Sequence, residues 1–410
     1  MSDHQKSQKQ PSPKNTVEKL PVLQLLAFTL AGFLAIMTET LPAGLLPQIS
    51  QGLAITEAQA GQFITLYALG SVIAAIPVIT LTRDWNRRPL FLYAIIGLLI
   101  FNSLTAISTH YYFILVARFF AGMSAGVIWG LLAGYARRLV SFHLQGKALA
   151  IASVGQPLAL SLGVPLATWF GHLFGWNQVF WAMSVLALIL IIWVRAMIPD
   201  FQSQPQQHNK SITRVVSSAG ILPILAVLLF WILTHNMLYT YIAPFLTSVD
   251  LSQHLDLILM LFGVSSILGI WLVGLWIDRH LRKLTIISLI VFALSCVLLI
   301  FIHNDLIVLA CIAIWGMTFG GAPTLLQTAL ADAAQEDADA AQEDADVAQS
   351  MLVTVFNLAV AAGGWLGGMI LNHTGASSFP HYMLGLLIVA LLIVSLSHQH
   401  AFKSGQRKLA

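Results

Sequence analysis

Nineteen of the 20 Lys and Arg residues fall in the two tails or in and at the edges of every second gap between long apolar runs, and the alternate gaps hold none. A bilayer core about 30 Å thick takes roughly 20 apolar residues per helix. Twelve runs of that order can be read, at approximately 21–47, 60–81, 88–107, 111–136, 144–171, 177–197, 217–246, 256–277, 284–302, 306–330, 347–372 and 379–397. The bases lie in the N-terminal tail, after the second, fourth, sixth and eighth runs, and in the C-terminal tail. Basic loops stay on the cytoplasmic side. The pattern therefore predicts an even number of spans with both termini cytoplasmic. Composition agrees: 58% of residues are hydrophobic and 9% charged, where a soluble domain carries about 25% charge. The expected fold class is an all-α polytopic membrane protein in the lipid bilayer.

Residues 1–20 are polar and read as a disordered tail. A signal peptide is not expected, because the first apolar run exceeds the roughly 7–15 residues of a signal h-region. The net charge of +3 gives no reason to expect nucleic acid. Cys296 and Cys311 lie in apolar runs and read as small buried hydrophobes, not as a disulfide.

The longest interior polar stretch, Pro199 to Ser218, divides the chain into halves that repeat. Arg87-Arg88 after the second run matches Arg282-Lys283 after the eighth, at an offset of 195. Gly122-Met123-Ser124-Ala125-Gly126 matches Gly316-Met317-Thr318-Phe319-Gly320, at an offset of 194. The expected layout is a tail at 1–20, a six-helix bundle at 21–198, a linker at 199–218, a second bundle at 219–397 and a tail at 398–410. Same-orientation halves are a transporter architecture, with the substrate site between them near mid-membrane. The loop at 331–346 holds a tandem copy, residues 332–338 repeated as 339–345. It reads as a duplication in a tolerant acidic loop, since blocks of like charge are mostly solvated.

Two charges break the apolar pattern. Glu39 is the one acid well inside a run, and Arg118 the one base. At 1.5 Å per residue they sit at roughly 12 and 10 Å from the same surface. An ionisable group inside a membrane is costly and marks an ion or proton path by default. A static buried pair registering two helices is the plain alternative. Burial raises a carboxyl group's proton affinity and a nearby guanidinium lowers it. A cavity that opens to each side in turn would change that affinity, so Glu39 is expected to carry the proton and Arg118 to tune it. Polar or aromatic groups in the runs (Trp129, His235, Asn236, Tyr239, Gln327 and Asn357) are the expected cavity lining. Each alone is as well explained by interhelical hydrogen bonding. With a single buried base, the cavity suits a neutral polyol, a nucleoside or an amphipathic drug, and not a phosphorylated anion.

Gly274-Leu-Trp-Ile-Asp278-Arg279-His-Leu-Arg282-Lys283 resembles the G-x-x-x-D-R-x-G-R-K loop signature of the major facilitator superfamily, with Leu281 at the second glycine. Arg83-Asp84-Trp85-Asn86-Arg87-Arg88 is a looser first-half copy, and Arg118-Phe-Phe-Ala-Gly122 is similar to the family's R-x-x-x-G motif. The resemblance implies twelve transmembrane helices in two pseudo-symmetric six-helix bundles. It implies an arginine tied to proton coupling, and gating by Asp84, Arg87, Arg88, Asp278, Arg279, Arg282 and Lys283. Thr38-Glu39-Thr40-Leu-Pro42-Ala-Gly44-Leu-Leu-Pro47 and the stretch Asp346 to Asn357 resemble the drug:proton antiporter and sugar-efflux branch.

The expected function is therefore proton-coupled export of a small molecule by a monomer in a bacterial inner membrane, without cofactor or metal. A nutrient importer on the same fold and a non-transporting receptor are the alternatives. No H-E-x-x-H zinc motif, G-x-S-x-G elbow or P-loop is present, so neither catalysis nor ATP-driven pumping is expected.

Overall fold

Inside lipid a backbone N–H or C=O finds no water, so a spanning segment must satisfy its own hydrogen bonds as helix. The computed structural model, which describes residues 20–75, 81–82, 85–201, 220–302, 304–334 and 341–402, follows that rule. Its elements are α1 (Val22–Gly44), α2 (Leu46–Leu53), α3 (Glu57–Ala75), α4 (Arg87–Ile107) and α5 (Tyr111–Arg138). They continue as α6 (Gln145–Phe174), α7 (Trp176–Met197), α8 (Ile221–Thr240) and α9 (Ile242–Thr247). The chain ends with α10 (Leu255–Phe301), α11 (Asp305–Ala334), α12 (Ala341–Thr374) and α13 (Phe379–Leu396). Ten helices among the described residues are long and apolar enough to cross a membrane. The chain is an all-α polytopic membrane protein.

Its surface inverts that of a soluble domain. Ile107, Leu166, Trp169, Ile192, Leu268, Trp271 and Leu392 are exposed, while Thr38, Asn102, Arg118, Thr168 and Thr234 are wholly buried. Cys296 and Cys311 are buried thiols.

Two expected loops come out differently. The polar stretch around Asp278 to Lys283 was expected to be a loop, but α10 runs through it and breaks only at His280, φ −136° and ψ 29°. The stretch has neither Gly nor Pro to stop a helix, and Leu281, standing at the signature's glycine, is buried. The acidic loop is also shorter than 331–346: α11 reaches Ala334 and α12 starts at Ala341.

The internal repeat is geometric as well as sequential. A Cβ on Gly122 would lie 1.8 Å from the Tyr67 carbonyl oxygen, and one on Gly316 would lie 2.4 Å from that of Phe262. One turn on, Gly126 meets the Ser71 carbonyl at 2.6 Å and Gly320 that of Ser266 at 2.0 Å. Tyr67 and Phe262, like Ser71 and Ser266, are 195 apart. The α3–α5 and α10–α11 crossings are thus the same crossing made twice, backbone on backbone, as small residues permit in lipid.

Across the halves, α3 packs on α12 and α6 on α10. The firmest tie is Tyr241, the non-helical residue between α8 and α9. Pro244 lacks the N–H that would bond the Thr240 carbonyl, which favours the break there. The Tyr241 hydroxyl donates to the Gly364 carbonyl at 2.8 Å and reaches that of Ala58 at 3.4 Å. Its ring fills a socket in which a Cβ on Gly61 or Gly368 would come within 2.2 and 2.6 Å of the hydroxyl.

Candidate functional site

The site begins at a proline. Pro42 lies inside α1 and has no N–H, so the Thr38 carbonyl four residues back has no helical partner. Arg118 of α5 supplies one: its Nη2 donates to the Thr38 carbonyl oxygen. Its Nε donates to the Phe63 carbonyl at 3.4 Å. The guanidinium lies 4.9 Å from the Tyr67 ring centroid and 5.5 Å from that of Phe180, a cation–π setting for a wholly buried charge. Asn102 donates to the Thr38 hydroxyl at 3.0 Å, and Tyr67 donates to the Ala35 carbonyl at 2.7 Å. Side chains from α3, α4 and α5 thus grip the one turn of α1 that presents Glu39.

Glu39 is 7% exposed. Arg118 and Glu39 share a depth, as expected, yet the arginine spends its bonds on backbone carbonyls. Among the described residues they do not form an ion pair, though Arg118 and Tyr67 both lie within electrostatic reach of Glu39. Arg118 nonetheless ties α5 to α1 through the Thr38 carbonyl. Tyr239 of α8 also lies within electrostatic reach of Glu39, and its hydroxyl has no hydrogen-bond partner.

Tyr239 leads into the second half. His235, one turn earlier on α8, lies flat on Phe319 with centroids 3.4 Å apart and planes 10° apart. Trp315, Phe262 and Tyr239 surround the imidazole at 5.4, 5.6 and 5.2 Å. Among the described residues, His235 Nδ1 and Trp315 Nε1, like the Tyr239 hydroxyl, are buried without partners. Trp315, Phe262 and Phe319 escaped the sequence reading because an aromatic residue in an apolar run looks like ordinary packing. The repeat marks only the place: Thr38-Glu39 and Thr234-His235 align at an offset of 196.

The other expected lining residues lie on α5, α8, α11 and α12. Asn236 is buried and donates to the Ile232 carbonyl at 3.0 Å, with its Cβ against Gly363 of α12. Asn357 is buried and donates to the Val353 carbonyl at 2.9 Å. Trp129 is half-buried beside Gly32 of α1, and Gln327 is exposed.

Arg87, Arg88 and Arg282 bond to the end of their half's last helix or to the linker or tail that follows it. Arg282 donates to the Val394, Ser395 and Phe402 carbonyls at 3.0, 3.2 and 2.9 Å, satisfying acceptors that the end of α13 leaves open. Arg88 does likewise for the end of α7, donating to the Ile198 carbonyl at 3.3 Å, and its backbone N–H bonds Asp200 at 3.1 Å. The Arg87 backbone N–H donates to the Phe201 carbonyl at 3.0 Å. Asp278, Arg279 and Lys283 are exposed, and Asp84 lies outside the described residues.

Comparison with known proteins follows the same lines. A family model described as Major Facilitator Superfamily matches residues 28–341 and, in a second match, 252–408. The chain belongs to the Major Facilitator Superfamily. This superfamily member is 27% identical over 371 residues to the purine ribonucleoside efflux pump NepI of Escherichia coli, covering 88% of this chain and 90% of the pump. It is 26% identical over 389 residues to the transcription regulatory protein OpdE of Pseudomonas aeruginosa, covering 93% of this chain and 95% of that protein. Among solved structures, the D-xylose-proton symporter superposes with a TM-score of 0.76 at 15% identity, over 94% of this chain and all 100% of the symporter. The nucleoside transporter NupG gives a TM-score of 0.72 at 14% identity, over 93% and 100%. These two show a shared fold. The family and fold are those of a membrane transporter and not of an enzyme.

Proposed function

We propose that the chain is a proton-coupled exporter of small neutral or amphipathic molecules (sugars, nucleosides or drugs) working by alternating access. In this reading it forms two six-helix halves, twelve spans in all, with both termini in the cytoplasm of a bacterial inner membrane. Each functional unit is a monomer. The observation that carries the reading is Glu39: an interior acid, held in place by a gripped turn of α1, with Tyr239 of the other half in reach. Rocking of the halves changes what Glu39 faces and so its hold on a proton. A proton crossing 100 mV supplies about 2.3 kcal/mol, enough for roughly a 50-fold concentration ratio. Likeness to an efflux pump supports export over import.

The test is flux in proteoliposomes under an imposed pH gradient, wild type beside Glu39→Gln. Proton-driven flux in the wild type and its loss in the variant are expected. Unchanged proton-driven flux in the variant overturns the role of Glu39. A second reading, a membrane regulator that moves nothing, draws on the likeness to a protein named as a transcription regulator. Absence of flux for every solute, with ligand binding retained, would favour it.

A further inference from the structure

A core built only for packing has no use for unpartnered polar atoms. Each one gives up its water without gaining a bond, a loss that Phe in the same place avoids. Yet His235 Nδ1, the Tyr239 hydroxyl and Trp315 Nε1 are all buried and unpartnered within one cluster. The cluster is otherwise made of rings: the centroids of Phe262 and Trp315 lie 4.5 Å apart, and His235 stacks on Phe319 at 3.4 Å.

We propose that this wall is the selectivity half of the substrate site and takes a planar, uncharged heteroaromatic ring. The proposal rests on the transporter reading above and adds the substrate class to it. A flat ring entering beside Phe319 gains stacking on its faces, where aromatic pairs prefer offset or edge contacts. Its edge nitrogens and exocyclic groups answer the unpartnered atoms. Trp315 Nε1 can only donate, so the ring must present an acceptor there. A bare sugar fits poorly, because it brings many hydroxyls to a wall with three polar atoms. A charged ring fits poorly too, since the wall carries no counter-charge among the described residues. Tyr239 lies within electrostatic reach of Glu39, which sets this cluster beside the acid. Substrate and proton would then meet at one boundary between the halves.

Binding of adenosine, inosine and D-ribose to the purified full-length protein, by calorimetric titration in detergent, tests this without any need for flux. Both nucleosides are expected to bind at least tenfold more tightly than ribose. Trp315→Phe keeps the ring and removes the N–H; it should weaken adenosine about tenfold, the worth of one good hydrogen bond, and leave ribose unmoved. Phe319→Leu should weaken both nucleosides. Equal binding of ribose and adenosine, no nucleoside binding, or unaltered adenosine affinity in a Trp315→Phe protein of normal thermal midpoint overturns the proposal. The two readings fail separately. Nucleoside binding without proton-driven flux sinks the transporter and spares the wall; proton-driven flux of a sugar without nucleoside binding does the reverse.

Discussion

The two halves cross their helices identically and fill the crossings with different chemistry. Gly122 on Tyr67 and Gly316 on Phe262 are one backbone contact made twice. Beside the first stands Arg118, bound to a carbonyl that Pro42 set free. At the matching place in the second half, 194 residues on, stands Ile312. The turn that carries Glu39 in the first half carries His235 in the second, packed in rings. A duplicated scaffold thus keeps its packing rule, because backbone contact tolerates little change. Its interior side chains diverge, because the backbone contact does not fix them.

The largest effect should come from exchanging what the halves do not share. Glu39→Gln should reduce pH-driven flux in proteoliposomes to background and flatten its pH profile. His235→Phe should keep the response to the gradient and change the order of competing solutes. A gradient response lost equally in both variants would mean that the division of labour is wrong.

Arg118→Ile makes the first half like the second at that position. It strands the Thr38 carbonyl, and losing a buried hydrogen bond to a charged group costs about 1.5–3 kcal/mol. A clear drop in thermal midpoint in detergent is expected, larger than for Arg118→Lys, which keeps a donor. The glycine crossings sharpen the comparison further. Gly122→Ala and Gly316→Ala should each destabilise by about 1–3 kcal/mol through overpacking. The first should cost more, since its Cβ would stand 1.8 Å from a backbone oxygen against 2.4 Å. Equal midpoints for the two would show that one crossing relaxes freely.

The smallest effect should be at the seam. Tyr241→Phe keeps the ring in its glycine socket and removes the hydrogen bond to Gly364, worth about 1 kcal/mol. Thiol labelling of a cysteine placed beside that seam should rise severalfold, with little change in midpoint. Labelling no faster than in the parent would mean that the hydroxyl does not hold the halves closed.

Much of this was legible in the chain. Charge placement and run length gave the membrane class, and Glu39 and Arg118 stood out because hydrocarbon makes charge expensive. The gripping of α1 was half visible: Pro42 predicts a free carbonyl, but nothing in one dimension says which side chain reaches it. The aromatic wall was invisible apart from His235 and Tyr239, since rings in an apolar run carry no signal of their own. Asn236 and Asn357 show what a run of letters hides: each donates to the carbonyl four residues back on its own helix.

By itself the sequence determined that the chain lives in lipid, that it repeats, and that it buries one acid and one base. Those are one-dimensional properties: length of apolar runs, side of the bases, spacing of glycines. Only the tertiary structure decided that the base serves a backbone carbonyl and leaves the acid unpaired among the described residues, and that three rings from distant helices close around His235. Those outcomes depend on which helix faces meet, and in lipid, where apolar faces attract one another no more than they attract the solvent, close packing and stray hydrogen bonds make that choice.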